Sequence, residues 1–385
     1  MDDPRFPELR NGRLLLGERP FRFVGTNCYF LQEEGARELL GWERCNGRVD
    51  EALRKAAGLG LGVVRAWAFH DSPDNPAAMQ ASPRQYREAG FRGMDLAIAA
   101  AAAYGVRLIL CLGNYWGDYG GVPQYLRWHG LPEDGPQRFF TDATVREHYG
   151  EHVEHCLSRV NHLTGVPWGA DPTILGWELL NEPRGKGLDD GGEALAAWVE
   201  ELAQRVRRAA PNQLVLTGEE GFGDDLDAGE DDTWSRLGAR WMTRRTGQSF
   251  TANTARVDLA TIHLYPEDWR WDPERIEDAG VRWIRGRADA AAALGRPLVL
   301  GELGLRNDGR FSLEERRRIY DVWLEAARTH PGVAGALTWS FSTDDRPDDW
   351  DAFTWRWRDD TDPGDPENRY ADLHRDWARR WAADG

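Results

Sequence analysis

Gly176-Trp-Glu-Leu-Leu-Asn-Glu-Pro-Arg184, the run GWELLNEPR, decides how the rest of the chain is read. The apolar residues from Ile174 to Leu180 predict a short buried strand. Asn181 and Glu182 fall where that strand ends, and Pro183 stops the ladder because it has no N–H to donate. A carboxylate and an amide at the lip of a strand are poor core residues and useful chemical groups. Pro297-Leu-Val-Leu-Gly-Glu-Leu-Gly304 has the same design, an apolar run ending in Glu302 between Gly301 and Gly304. Two buried strands that each end in a glutamate point to a two-carboxylate enzyme.

Working outward, the same unit recurs along the chain. Leu9 to Phe23 predicts a small hairpin, with Asn11-Gly12 and Gly17-Glu18 as turns. The strand-like runs are Phe21–Phe30, Val63–Phe69, Arg107–Gly113, Ile174–Glu182, Gln213–Gly221, Asp258–Tyr265, Pro297–Gly304 and Gly335–Ser342. Helical patterns follow most of them, at about Val49–Gly60, up to Tyr104, Asp142–Leu163, Gly192–Ala210, up to Leu294, from Ser312, and at Tyr370–Trp381. Gly105 is the expected C-cap of the second of these. Ser312 with Glu315 makes a capping box. Continuous apolar strands alternating with helices imply a parallel sheet covered by helices. Eight units imply an α/β fold, a closed (β/α)₈ TIM barrel. We expect one domain over residues 1–385, with a short N-terminal hairpin and long loops at the C-terminal face. No glycine-rich phosphate fingerprint follows the first strand.

Composition narrows the partners. The 385 residues carry a formal charge of −16, which argues against nucleic acid and anionic membranes. No apolar run reaches the length of a membrane span. The start, MDDPRFPELRNG, does not read as a signal peptide. The expected compartment is therefore the cytoplasm, or the exterior if a leader has been removed. Cys28, Cys45, Cys111 and Cys156 form no CxxC pair and are expected as free buried thiols. There are 19 tryptophans; most are expected in the core, and some as flat platforms for the apolar faces of sugars.

In a barrel the active site lies at the C-terminal ends of the strands. The polar and aromatic residues expected there are Asn27, Arg65, Trp67, Asn114, Trp116, Asn181, Glu182, His263, Tyr265, Glu302 and Trp339. Glu178, inside the fourth strand, reads as a buried structural carboxylate paired with an arginine. Two carboxylates about 5 Å apart suit retaining glycoside hydrolysis. One must be ionised, held so by a neighbouring Arg, here Arg65, and a Tyr hydroxyl, here Tyr265. The other must hold a proton, its pKa raised by burial and by the neighbouring negative charge.

These residues resemble glycoside hydrolase family 5, and within it the β-1,4-mannanases. The resemblance rests on VNHLTGVPWGADPTILGWELLNEPR, GVRLILCLGNYWGDYGGVPQYLRW, DLATIHLYPEDW and RPLVLGELG, which are similar to mannanase segments in the same order over about Phe21 to Phe341. It implies Glu182 as acid/base and Glu302 as nucleophile. It implies that Arg65, Asn181, His263 and Tyr265 surround the sugar at the cleavage point, with Trp339 as its stacking floor. Asn114 agrees with the mannanase-like segments, where many other family members carry His. The implied substrate is β-mannan or manno-oligosaccharide, with no cofactor and no metal.

Other readings stay open. The loop Ser342–Asn368, with Trp350, Trp355 and Trp357, and the acidic loop Glu219–Asp232 depart from the pattern. A loop that closes one end of the cleft would give an exo-acting mannosidase or a mannobiose-releasing enzyme. A β-1,4-glucanase on the same scaffold and a catalytically silent sugar-binding barrel are further alternatives. His148, His152 and His155 share a helix face and are expected to be solvated. Asp224–Asp232 misfits a calcium loop and is expected to be a solvated loop. Arg316-Arg-Arg318 is expected on a helix surface.

Overall fold

The computed structural model describes residues 5–223, 246–342, 353–356 and 368–383. Eight parallel strands form its centre: β1 (Phe23–Asn27), β2 (Val63–Trp67), β3 (Arg107–Cys111), β4 (Ile174–Glu178), β5 (Leu214–Leu216), β6 (Ala260–Leu264), β7 (Leu298–Leu303) and β8 (Val333–Thr338). Except at β5–β6, each pairs in parallel with its sequence neighbours, and β8 returns to β1, so the sheet curls into a nearly closed barrel. The seam between β5 and β6 is narrow, because β5 has only three residues. A single Leu216–Leu259 bridge closes it, aided by the Asp258 carboxylate, which accepts the Val215 N–H at 2.9 Å.

The helices are α1 (Leu31–Leu39), α2 (Arg48–Gly58), α3 (Glu88–Ala103), α4 (Gly121–Trp128), α5 (Arg138–Thr141), α6 (Ala143–Ser158), α7 (Glu193–Ala209), α8 (Phe250–Thr254), α9 (Ile276–Ala293), α10 (Leu313–Thr329) and α11 (Asn368–Ala382). The expected capping box at Ser312 and Glu315 is formed, and Gly105 follows α3 with φ +67°. Helix α1 was not expected from the sequence. Gly35 sits in its middle, and glycine weakens a helical pattern. Here that glycine is needed: a Cβ on Gly35 would meet the Gly93 carbonyl oxygen at 2.6 Å, so α1 and α3 pack backbone to backbone. No helix among the described residues is long and apolar enough to cross a membrane.

The barrel interior is divided along its axis. Its lower part is apolar, filled by Phe23, Val63, Ile109, Leu175, Leu214, Leu216, Leu259, Val299 and Leu337. The predicted hairpin is a three-stranded antiparallel ribbon, Glu8–Arg10, Arg13–Leu16 and Arg19–Pro20, and it lays Leu14 and Phe21 against the same cluster. Its upper part is polar, and that is where the candidate residues gather. All four cysteines are buried and free, as expected.

Two expectations fail for the same reason, that outer helices are themselves covered. His148 and His152 on α6 are buried, not solvated. The hairpin Gln80–Ser82/Gln85–Tyr86 and α4 lie over that face. His148 meets Gln80 Oε1 through Nε2 at 2.9 Å and His129 through Nδ1 at 3.0 Å. Burial pushes the pKa of His148 down to about 4 and that of His152 down to about 3. His155 is exposed but stacks on Tyr86 at 3.7 Å. Arg316 is also buried, and its guanidinium donates to the Leu305 carbonyl at 2.7 Å. Of the two distinctive loops, Asp224–Asp232, Trp350 and Trp357 lie outside the described residues, while the backbone at Trp355–Arg356 pairs with Phe341–Ser342.

Candidate active site

The upper ends of the strands open into a cleft of about 620 Å³. Two irregularities in the sheet shape its floor. The β6–β7 register shifts at Ile262/His263, and the β7–β8 register shifts between Leu300 and Leu303. Such bulges redirect side chains, and they gather near active sites. Here they set His263 opposite Glu302. Glu182, four residues beyond the end of β4, has φ +50°, which is uncommon for a residue with a Cβ. Its N–H is held by the Gly218 carbonyl at 2.8 Å, so the turn delivers the carboxylate into the cleft.

Arg65 organises the floor. It is 1% exposed, and all five of its N–H groups are used. Nε and Nη2 grip Glu178 at 2.7 and 2.6 Å. Nη1 reaches Asn27 at 3.0 Å and Glu302 at 2.7 Å. The second Nη2 hydrogen goes to Asn181 at 2.6 Å. Glu178 is therefore paired with an arginine as expected, and that arginine is also the one under Glu302. Asn27 in turn donates to the carbonyls of Gly301 and Thr338 at 2.9 and 3.1 Å, tying β1 to β7 and β8. Asn181 donates to Asn114 at 3.0 Å, and Asn114 accepts the Trp116 N–H at 3.2 Å, which fixes the loop after β3.

The two glutamates stand above this network. Carboxylate oxygens of Glu182 and Glu302 and a nitrogen of His263 all lie within 4.8 Å of one another. Glu302 accepts from Arg65 and, at 2.5 Å, from the Tyr265 hydroxyl. Glu182 accepts from the Trp116 indole N–H at 2.5 Å and meets His263 Nδ1 at 2.7 Å. Burial pushes both carboxyls above the ordinary range. The opposing influences differ. His263, Arg65 and Tyr265 pull Glu302 back down, while the neighbouring Glu182 adds to the rise. Arg184, then Trp116 and Arg65, pull Glu182 down, and Asp268 adds to the rise. The negative neighbour that raises Glu182 is Asp268, where the sequence suggested the partner glutamate; the glutamate pair shows instead as Glu182 raising Glu302.

Burial also holds the pKa of His263 down, so the ring is neutral at neutral pH. Its Nε2 is buried without a partner. A proton there would be an unsatisfied donor, so the favoured tautomer carries the proton on Nδ1 and donates it to Glu182. This bears on metal binding. The Glu182, His263 and Glu302 atoms are spaced closely enough to hold an ion, but Nδ1 is occupied by its proton and Glu302 by Arg65. The donor set fits proton chemistry better than ligation.

Trp67, Asn114, Trp116, Asn181, Glu182, Tyr265, Glu302 and Trp339 all line the cleft, as expected. Arg65 and His263 do not. Both are buried, and each meets a carboxylate of the cleft, Arg65 that of Glu302 and His263 that of Glu182. Trp339 forms part of an aromatic wall, stacked on Tyr29 at 5.4 Å and tilted against Trp67 at 6.1 Å. Trp116 is 38% exposed, and Arg184 lies 4.7 Å from its ring centre.

Several lining residues were missed. Arg184 forms two 2.7 Å bonds with Glu220. Arg184 lay inside the opening motif, but Glu220 was read as part of an acidic loop and is buried at its start. Arg306 pairs with Asp268 at 2.6 Å. Phe353, buried from the loop after β8, packs on Tyr265 at 5.2 Å. No local pattern marks these residues, since they meet only through the barrel.

The arrangement matches known proteins. A model of the GH family 5 beta-mannosidase-like group matches residues 5–375. The chain is 39% identical to mannan endo-1,4-beta-mannosidase 4 of Oryza sativa subsp. japonica over 334 residues, 83% of this chain and 69% of that one. It is also 39% identical to mannan endo-1,4-beta-mannosidase 3 of the same organism over 348 residues, 86% and 70% of the two chains. The solved endo-beta-1,4-mannanase from Thermotoga petrophila superposes with a TM-score of 0.82 at 30% identity, covering 95% of this chain and 78% of that one.

Proposed function

The chain belongs to the glycoside hydrolase family 5 beta-mannosidase-like family, and from that premise we propose that it hydrolyses β-1,4-mannosidic bonds in mannan or manno-oligosaccharides with retention at the anomeric carbon. The observation that carries the mechanism is the pair of glutamates, with carboxylate oxygens within 4.8 Å of each other. Retaining enzymes hold their carboxyls about 5–5.5 Å apart, whereas inverting enzymes leave about 6.5–9.5 Å for a water.

Glu302 is the nucleophile in this reading. Arg65 and Tyr265 direct their hydrogens at its two oxygens, which favours the charged form and aims it. Glu182 is the acid. It gives its proton to the glycosidic oxygen as the bond from C1 to that oxygen breaks, and Glu302 forms an ester with C1. Glu182, now ionised, takes a proton from water, whose oxygen attacks C1 and releases Glu302. His263 and Trp116 hold the charge that Glu182 carries between these steps. The sugar at the cleavage point rests against Trp339.

The relatives named above are called endo-acting, and we read this chain the same way. Phe353 favours a second reading. It packs on Tyr265 and against the Arg306 guanidinium at the cleft edge, and a wall there would favour release of short products from a chain end. An early product time course on β-1,4-mannohexaose, with cellohexaose beside it, tests both. Mixed short oligomers support endo action. Mannose or mannobiose alone supports the second reading. Cleavage of the glucan only, or of neither, overturns the mannan assignment.

A further inference from the structure

After β6 the chain makes a tight turn over Tyr265–Trp271. The Trp269 N–H bonds to the Tyr265 carbonyl at 3.0 Å, and the Trp271 N–H bonds to the Pro266 carbonyl at 2.8 Å. Both tryptophans are buried. Trp269 packs on Phe222 and Trp283 at 4.9 and 5.4 Å, and Trp271 packs on Trp283 at 5.9 Å. Arg270 stands between these anchors with φ +59°. That is the left-handed region, strained for any residue with a Cβ and occupied without strain by glycine. Backbone strain of this kind persists where the surroundings enforce it and often marks function.

The Arg270 side chain is exposed and lines the cleft. The other arginines of the cleft are matched, Arg184 by Glu220 and Arg306 by Asp268. Among the described residues, the Arg270 guanidinium has no hydrogen-bond or ion-pair partner. Its side of the cleft follows from its neighbour. Trp269 packs on Phe222, and Glu220, two residues before Phe222, holds Arg184. Arg184 follows the acid Glu182 by two residues and lies over the Trp116 ring that donates to it, so the turn borders the acid. The acid serves the departing sugar, and the turn therefore faces the leaving-group side.

We infer that Arg270 is a specificity residue for the leaving group, its forked N–H donors taking neighbouring hydroxyl oxygens of a sugar beyond the cleavage point. A guanidinium presents paired, parallel donors, which suit two adjacent hydroxyls of one ring. The two buried tryptophans hold the turn in the conformation that extends this side chain into the cleft. This rests on the reading of the chain as a mannan hydrolase and adds a residue to it.

The test uses Arg270→Gly and Arg270→Leu in the full chain, on two substrates. β-1,4-Mannopentaose places sugars on both sides of the cleavage point. An aryl β-mannobioside has no sugar in its leaving group. In both variants kcat/KM on mannopentaose should fall by about tenfold, the scale of a lost polar contact to substrate, while the aryl substrate should lose less than twofold. Arg270→Gly should melt at or above the wild-type temperature, because glycine removes the strain. Unchanged kcat/KM on mannopentaose, equal losses on the two substrates, or a lower melting temperature for Arg270→Gly would each overturn the inference. If the wild-type protein cleaves neither substrate, the mannan reading itself has failed and this inference falls with it.

Discussion

The two glutamates share one cleft but are held by different parts of the molecule. Glu302 is braced from below by Arg65, which is in turn gripped by Glu178 and Asn181 at the end of β4 and by Asn27 at the end of β1. Every group in that brace is buried. Glu182 is held by His263 from below and by Trp116 from a loop at the rim. The contrast suits their proposed tasks. A nucleophile needs a fixed aim and steady charge compensation. An acid that becomes a base must accept a different charge at each step, and contacts at a solvent-facing rim adjust more readily than a packed floor.

The strongest way to break the comparison is Glu302→Ala. Turnover of mannohexaose should fall by about 10⁴-fold or more, as when a nucleophile is removed, while the thermal unfolding transition stays cooperative. Near-normal turnover would remove Glu302 from the reaction. Arg65→Met comes next and strikes the floor itself. It leaves Glu178 and Glu302 buried without their cation, and losing one partner of a buried pair costs about 3–5 kcal/mol. A urea midpoint close to wild type would show that the brace does not carry the fold. Glu182→Gln should lower turnover of mannohexaose by about 10²–10⁴-fold. The glycosylation step on a dinitrophenyl mannobioside, which needs little protonation, should be largely spared. Equal losses in both assays would count against the acid role.

A finer test concerns the rim alone. Burial raises the pKa of Glu182 and the Arg184 cation is the main influence against it. The proposed active form has Glu182 protonated, so activity is lost as pH rises through its pKa. Arg184→Met removes the cation, Glu182 keeps its proton to higher pH, and the alkaline limb of kcat/KM should move up. Movement down would reverse the sign of the argument. Trp116→Phe removes one neutral donor from the carboxylate and should move the same limb in the same direction by less. No movement in that variant would show that the indole contact does not reach the acid's proton.

Much of this site was legible in the sequence, and particular residues show why. Glu182 precedes a proline and Glu302 lies between Gly301 and Gly304, each after an apolar run, so acids at strand ends could be read locally. Trp67, Asn114, Trp116, Asn181, Tyr265 and Trp339 followed from their places at the same ends. Arg65 and His263 were found at the same strand ends, and the structure shows them buried, bonded to the two glutamates. Position in a strand says which residues lie near the mouth, and not whether a side chain points into the cleft or under it. Glu220 was read only as the start of an acidic loop, because its partner Arg184 is distant in the chain. His148 and His152 were misread because the hairpin and helix that cover them have no signature in the helix that carries them.

The sequence by itself determined the alternation of strands and helices, the barrel that eight such units must close, and the two glutamates at its rim. Those features are local: they depend on hydrophobic period, on turn residues, and on which groups follow a buried run. Only the tertiary structure decided how charge is shared among them. One guanidinium serves Glu178, Glu302, Asn27 and Asn181 at once. Asp268 raises the pKa of Glu182, and Glu182 raises that of Glu302. Arg270, without a partner among the described residues, is carried into the cleft in a left-handed conformation between two buried tryptophans. Hydrogen bonds and Coulomb interactions act over a few ångströms in space, whatever the separation along the chain, and the closed barrel sets those distances.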